Sequence, residues 1–277
     1  MLSTTSPRRC TVAIATIEPG AGSPGVSVAR SFRAAKGFVD RVVGIAAEKD
    51  AARLRAADLS LWNVLSAPPP EDGAAFVERL SELRSRCPVD VLLPARSADT
   101  IAFLAIEKDL AAIGVRTFLP TAAQLELLRT AARLPGHPPG GGAQNGAYAV
   151  AVVGDGAGGV AGLVALRKID AEGQSQRWVG VAAQDAALQE RVLAFVRQTR
   201  LRGPVEIDLL RDPSGEYQFV RVEARFPAWV HLFASPGPNL PAILVRLALG
   251  EAVESQATLP GGPLLVGAAW EAWMTHD

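Results

Sequence analysis

Residues 203–229, GPVEIDLLRDPSGEYQFVRVEARFPAW, decide the fold. Val205, Ile207 and Leu209 alternate with Glu206 and Asp208, the two-residue period of a strand with one apolar face. The tetrapeptide DPSG then reverses the chain, and YQFVRVEAR runs back as a partner strand. Strand parity puts Arg221, Glu223 and Arg225 on one face. Glu206 and Asp208 can lie opposite them across the hairpin. Carboxylates and guanidiniums are thus predicted to share one patch. A hard cation needs an array of oxygens at ~2.0–2.1 Å, and an arginine among them supplies positive charge but no lone pair. Arg221 is expected to pair with Asp208 or Glu223 and to fill the space a metal would take. No metal is assigned; Asp208 and Glu223 are the candidate ligands if one binds.

Around this hairpin the chain reads as an antiparallel sheet with helices. AYAVAVVGDGAGGVAGLVALRKID (147–170) is two strands joined at an Asp-Gly turn. AAQDAALQERVLAFVRQTRL reads as an amphipathic helix, and NLPAILVRLALG as another ending at Gly250. Arg167 and Lys168, on a strand of this sheet, are candidate anion-binding residues. Trp270 and Trp273, spaced i, i+3, are expected to dock a terminal helix.

The first ~120 residues alternate strand and helix. CTVAIATI, VDRVVGIA and VDVLLP read as buried parallel strands, and VRTFLP as a shorter one. VSVARSFRAAKG reads as a helix closed by Gly37, DGAAFVERLSELRSRC as a second, and ADTIAFLAIEKDLAAIG as one helix ending at Gly114. The predicted fold class is an α/β, doubly wound, Rossmann-like N-terminal sheet followed by an α+β antiparallel lobe. The expected divisions are 1–120, a linking helix and Gly/Pro linker over 121–146, and 147–277. PGHPPGGGAQNG, at the end of the linker, holds neither helix nor strand.

Bulk composition excludes little but excludes it clearly. Lys plus Arg and Asp plus Glu number 28 each, so no basic excess marks a nucleic-acid partner. No stretch approaches the ~20 apolar residues of a spanning helix. The apolar run after MLSTTSPRRC reads as the first strand rather than a leader. Cys10 and Cys87 lack metal or redox spacing and read as buried thiols. A cytoplasmic location is expected.

Three segments together resemble the ATP-grasp superfamily, which includes carboxylate–amine ligases, carbamoyl-phosphate synthase large chains and biotin carboxylases. VAIAT…GVSVARSFRAAKGFVDRVVGI, with VDVLLPARSADTIAFLAIEKDLAAIGVRTFLP, is similar to its pre-ATP-grasp domain. GPVEIDLLRDPSGEYQFVRVEARFPAW and GPNLPAILVRLALGE are similar to the C-terminal half of its grasp. The family's second metal-binding strand usually reads Glu-x-Asn-Pro-Arg. Aligned on Arg225, this chain has Arg221 at the Glu, Glu223 at the Asn and Ala224 at the Pro, while Asp208 matches the partner strand's ligand. The resemblance also implies a small subdomain with a lysine-bearing strand and a glycine-rich loop. Here only PGHPPGGGAQNG stands in that interval, and no lysine occurs between Lys108 and Lys168. The family's Asp-Lys at the end of the linking helix falls near Arg129 and Thr130.

The favoured reading is therefore a truncated, non-catalytic ATP-grasp-like protein. It would bind a small molecule, a peptide or a partner enzyme, with a homodimer left open, and no cofactor is expected. Two alternatives stand beside it. One is an ATP- and magnesium-dependent carboxylate–amine ligase whose nucleotide site another chain completes. The other is an NAD(P)-dependent enzyme, since Gly20, Gly22 and Gly25 match G-x-G-x-x-G and Glu48 falls where that fingerprint wants an acid, at the end of the second strand.

Overall fold

The structure is a computed structural model. It describes residues 10–19, 22–35, 37–56, 61, 63–131, 147–170, 178–235, 237–257 and 265–267. The PGHPPGGGAQNG linker, Gly20, Trp270 and Trp273 lie outside the described residues.

Four short parallel strands form the first sheet: β1 (Cys10–Ile14), β2 (Val39–Ala46), β3 (Asn63–Ser66) and β4 (Val91–Leu93), in the order β3-β2-β1-β4. Helices α1 (Pro24–Ser31) and α2 (Glu48–Ala56) cover one face. There Val12, Ile14, Val42 and Ala46 meet Val26, Ala29, Ala51 and Leu54. Helices α3 (Gly73–Leu83), α4 (Ser97–Ala105) and α5 (Glu107–Ala112) cover the other. Ala13, Val43, Ile45 and Leu92 pack there on Phe76, Leu80, Phe103 and Leu110. The sheet is doubly wound, as the alternating pattern predicts.

Several details differ from the expectation. The segment after β2 holds a helix and a strand, α2 and β3, that the apolar pattern does not announce. Glu48 does not end the second strand: β2 stops at Ala46 and Glu48 opens α2. The helix expected over 98–114 is broken at Ile106 (φ −112, ψ 15) into α4 and α5. A Cβ on Gly73 would lie 2.5 Å from Ile106 Cγ2, so the start of α3 packs directly onto the break. VRTFLP contributes only one parallel bridge, Val91 to Arg116.

Helix α6 (Ala122–Ala131) leads to the second sheet. Its strands are β5 (Ala147–Asp155), β6 (Val160–Asp170), β7 (Trp178–Ala182), β8 (Arg202–Arg211), β9 (Tyr217–Glu223) and β10 (Leu265–Gly267). They are antiparallel in the order β10-β7-β6-β5-β8-β9, and β7 and β10 were not legible. The outer face, with Val150, Val152, Leu163, Val205 and Ile207, packs on α7 (Ala186–Thr199) through Leu188, Val192 and Val196. The inner face carries Ala149, Ala151, Val153 and Leu166. It shares one continuous core with α8 (Leu240–Ala248), with Phe226, Trp229 and Phe233, and with α1 and β1 of the first sheet.

Candidate functional site

The alternation of residues 205–209 sends Val205, Ile207 and Leu209 into the outer core and Glu206 and Asp208 to the inner face. Across the hairpin Glu206 pairs with Glu223 and Asp208 with Arg221. The register then slips: Leu209 pairs with Phe219, so Val220 is an extra residue. This bulge lets Phe219 and Val222 both pack outward while Arg221 and Glu223 turn inward. Without it Arg221 would share a face with Phe219.

The result is a closed ion network. Arg221 donates from Nε to Asp208 Oδ2 at 2.8 Å and from Nη1 to Glu223 Oε1 at 2.8 Å. Its Nη2 lies 3.6 Å from Glu206 Oε1. Arg225 donates from Nε to Glu223 Oε2 at 2.7 Å and from Nη1 to the Phe226 carbonyl at 3.0 Å. The same Nη1 stands 2.6 Å from Glu206 Oε2. That oxygen nonetheless has no aligned hydrogen bond, so the contact is one of charge rather than of direction. Lys168 Nζ donates to Asp208 Oδ1 at 2.8 Å. Three cations thus face three carboxylates.

Burial pushes the Glu206 carboxyl above its ordinary range, and Asp208 and Glu223 add to this against the pull of Arg225 and Arg221. Burial also works against the Glu223 charge, but Arg225 and Arg221 outweigh it and hold Glu223 low. Arg221 loses hydration yet is held above its ordinary value by Asp208, Glu206 and Glu223.

The sequence-proposed pair Arg167 and Lys168 is split. Lys168 joins the network, whereas Arg167 is exposed on the opposite side of β6. Arg129, near the family's Asp-Lys position, pairs with Glu126 at 2.6 Å on an exposed face of α6. Gly22 is exposed with open space around it. Gly25 lies in α1, where a Cβ would sit 3.1 Å from both Ala95 Cβ and Ile17 Cγ1, so it serves close helix–sheet packing.

The first lobe supplies residues that sequence reasoning missed. Ser97, the first residue of α4, donates to Glu223 Oε2 at 3.2 Å, and Thr100 donates to the Ala224 carbonyl at 2.6 Å. The signal available was the run ARSADT, where Asp99 can accept backbone N–H groups at a helix start. Asp99 is fully buried and takes the Arg96 N–H at 2.8 Å. Arg96 pairs with it at 2.7 Å.

A magnesium ion does not fit this network. Glu206, Asp208 and Glu223 converge, but the Arg221 guanidinium stands among them. Among the described residues no three His, Cys, Asp or Glu side chains form a metal-binding group. No helix of the described residues is long and apolar enough to cross a membrane.

No family model matches the chain, and no curated protein does. Solved structures do. Biotin carboxylase from Campylobacter jejuni, in complex with β,γ-ATP, aligns over 92% of this chain and 74% of that one, with TM-score 0.60 and 14% identity. L-amino acid ligase from Bacillus licheniformis aligns over 94% and 79%, with TM-score 0.55 and 14% identity. The phosphoribosylaminoimidazole carboxylase ATPase subunit from Aquifex aeolicus aligns over 93% and 80%, with TM-score 0.56 and 12% identity. The chain therefore has the fold of the ATP-grasp enzymes. At these identities the likeness defines architecture and leaves chemistry to the site.

Proposed function

We propose that this chain is a shortened, non-catalytic ATP-grasp-fold protein. It binds a small molecule, a peptide or a partner enzyme beside the inner face of its second sheet. The observation that carries this reading is Arg221, seated among Glu206, Asp208 and Glu223 and donating to two of them. Phosphoryl activation depends on metal and cations clamping the phosphates. Here the acids that could hold a metal are occupied by the protein's own arginine. No lysine lies between Lys108 and Lys168 to replace the family's phosphate-binding lysines. The fold is kept as a binding frame, working without cofactor in the cytoplasm.

The test is calorimetric titration and melting of the purified chain with Mg-ATP. A ligand at ~100 times its dissociation constant stabilises by ~2.7 kcal/mol. No heat of binding and no shift in melting temperature are expected at millimolar Mg-ATP. A clear shift overturns the proposal and favours an ATP-dependent ligase.

A further inference from the structure

We propose that Arg96 forms an anion-binding position at the point where the parallel sheet reverses its strand order, and that it takes a carboxylate or phosphate group of a small molecule. This rests on the binding role proposed above and specifies the ligand's chemistry.

From β1 the chain builds towards β2 and β3 on one side, while β4 lies on the other. In such sheets the carboxyl ends of the two diverging strands open a crevice, the usual place for a ligand. Thr16 stands just past β1 and Arg96 just past β4. Their side chains meet at the buried Asp99, which also accepts the backbone N–H groups of Ala95 at 3.2 Å and Arg96 at 2.8 Å. Asp99 Oδ1 takes Thr16 Oγ1 at 2.9 Å, Arg96 Nε at 3.1 Å and Arg96 Nη2 at 2.7 Å. Two guanidinium donors on one carboxylate fix the plane of the arginine. Thr16 holds a φ of 50°, a left-handed conformation that a β-branched residue avoids. Strain of this kind collects at ligand sites.

The guanidinium has one buried carboxylate partner and one exchangeable one, and its Nη2 also lies 3.4 Å from Thr16 Oγ1. Asp99 is fully buried, whereas Glu71 reaches Arg96 Nη2 at 3.3 Å from a side chain 51% exposed. Among the described residues Arg96 Nη1 makes no hydrogen bond. An exposed pair of this type is worth little and exchanges readily. A carboxylate or phosphate group can displace the Glu71 carboxylate and bond the free edge of the guanidinium through two oxygens in two-pronged fashion. Glu18, also close enough to act on Arg96, is a further carboxylate that an incoming anion meets. The next residue, Ser97, touches Glu223, so a ligand here lies against the ion network.

The experiment melts the full chain in sodium phosphate and in sodium acetate, each against sodium chloride at matched ionic strength. The variant Glu71→Gln removes the competing carboxylate. It is expected to lower the half-saturating concentration of the effective anion about two- to fivefold relative to the parent. Adding Arg96→Lys, which keeps a positive charge beside Asp99 but loses the fork, is expected to abolish the shift. A response to phosphate alone assigns a phosphate ligand, and a response to acetate alone a carboxylate. A Glu71→Gln protein that melts identically in all three salts overturns the site, as does an unchanged response when Arg96→Lys is added. A Mg-ATP shift that persists in Arg96→Lys would overturn the proposed function, whereas one that vanishes in that variant belongs to this site, so the two failures are distinguishable.

Discussion

Arg221 and Asp208 are direct cross-strand partners, and the Arg221 Nε lies 2.8 Å from Asp208 Oδ2. The pair sits at the base of the network, so removing its cation leaves three carboxylates facing only Lys168 and Arg225. Arg221→Ala is expected to destabilise the protein by about 2–4 kcal/mol. That straddles the lower end of the ~3–5 kcal/mol for breaking a buried pair, because the side chain stays partly open to solvent. Urea unfolding of parent and variant measures it.

Arg221→Glu adds a fourth carboxylate to the same patch. Mutual repulsion is expected to lower the melting temperature further, and a divalent ion is expected to restore part of the loss because four carboxylates then outnumber the two remaining cations, Lys168 and Arg225. Melting the variant with and without millimolar magnesium checks this. A variant as stable as the parent and indifferent to magnesium would show that the carboxylates do not converge.

The network also fixes a pH profile. Glu223 is held below its ordinary 4.5, so its contribution is complete above that pH and is lost as pH falls through its folded value. Glu206 is held above its ordinary 4.5, so the folded protein keeps its proton where the unfolded chain has released it. Its contribution is complete below 4.5 and is lost as pH rises through the folded value. Stability is therefore expected to rise as pH is lowered towards 4.5 and to fall below it. In Glu206→Gln the rise on the neutral side should disappear while the acid loss remains, which melting from pH 3 to pH 8 resolves.

Thr100 donates to the Ala224 carbonyl from a fully buried position, tying α4 to the turn after β9. Thr100→Val keeps the shape and orphans the carbonyl, at an expected cost of about 1–3 kcal/mol. Ser97→Ala, at the half-buried contact with Glu223, is expected to cost less, about 0.5–1 kcal/mol. Equal costs for the two would contradict the burial difference.

Gly154 has no room for a side chain, since a Cβ there would lie 2.2 Å from the Leu201 carbonyl oxygen. The neighbour is backbone and cannot swing away. Gly154→Ala is expected to cost about 2–3 kcal/mol and to lower the melting temperature without changing the charge network.

What the sequence disclosed follows the strength of its local signals. Strands rich in Val and Ile, the alternation over 205–209 and the helix ends at Gly114 and Gly250, both of positive φ, were legible; the helix expected to close at Gly37 instead ends at Ser31 and gives way to a 3-10 turn over Phe32–Ala35. Helix α2 was not legible, because EKDAARLRA is largely polar; among its described side chains the buried apolar ones are Ala51 and Leu54. Strand β3 is four residues at a sheet edge and carries almost no alternation. The break at Ile106 lies against Gly73 of α3, a contact distant in sequence that no local pattern encodes. At the site, strand parity correctly grouped Arg221 with Glu223. It could not foresee the bulge at Val220 that frees them from the face of Phe219. Ser97 and Glu223 meet across 126 positions of chain, a contact only the assembled fold creates.

Among the described residues, α8 and the 226–233 segment provide the apolar cover of the inner face of the antiparallel sheet, and they pack in turn on α1 of the first lobe, in one continuous core. Each lobe is therefore expected to depend on the other for its folded stability. Heating should give one calorimetric endotherm, with equal van't Hoff and calorimetric enthalpies, in place of two. Chains cut to residues 1–131 and 147–277 should each expose an open apolar surface and aggregate when refolded alone. Refolded as a mixture, they should reassociate. For this protein the unit of cooperativity is the pair of lobes, and a lesion in either one is felt as a loss of both.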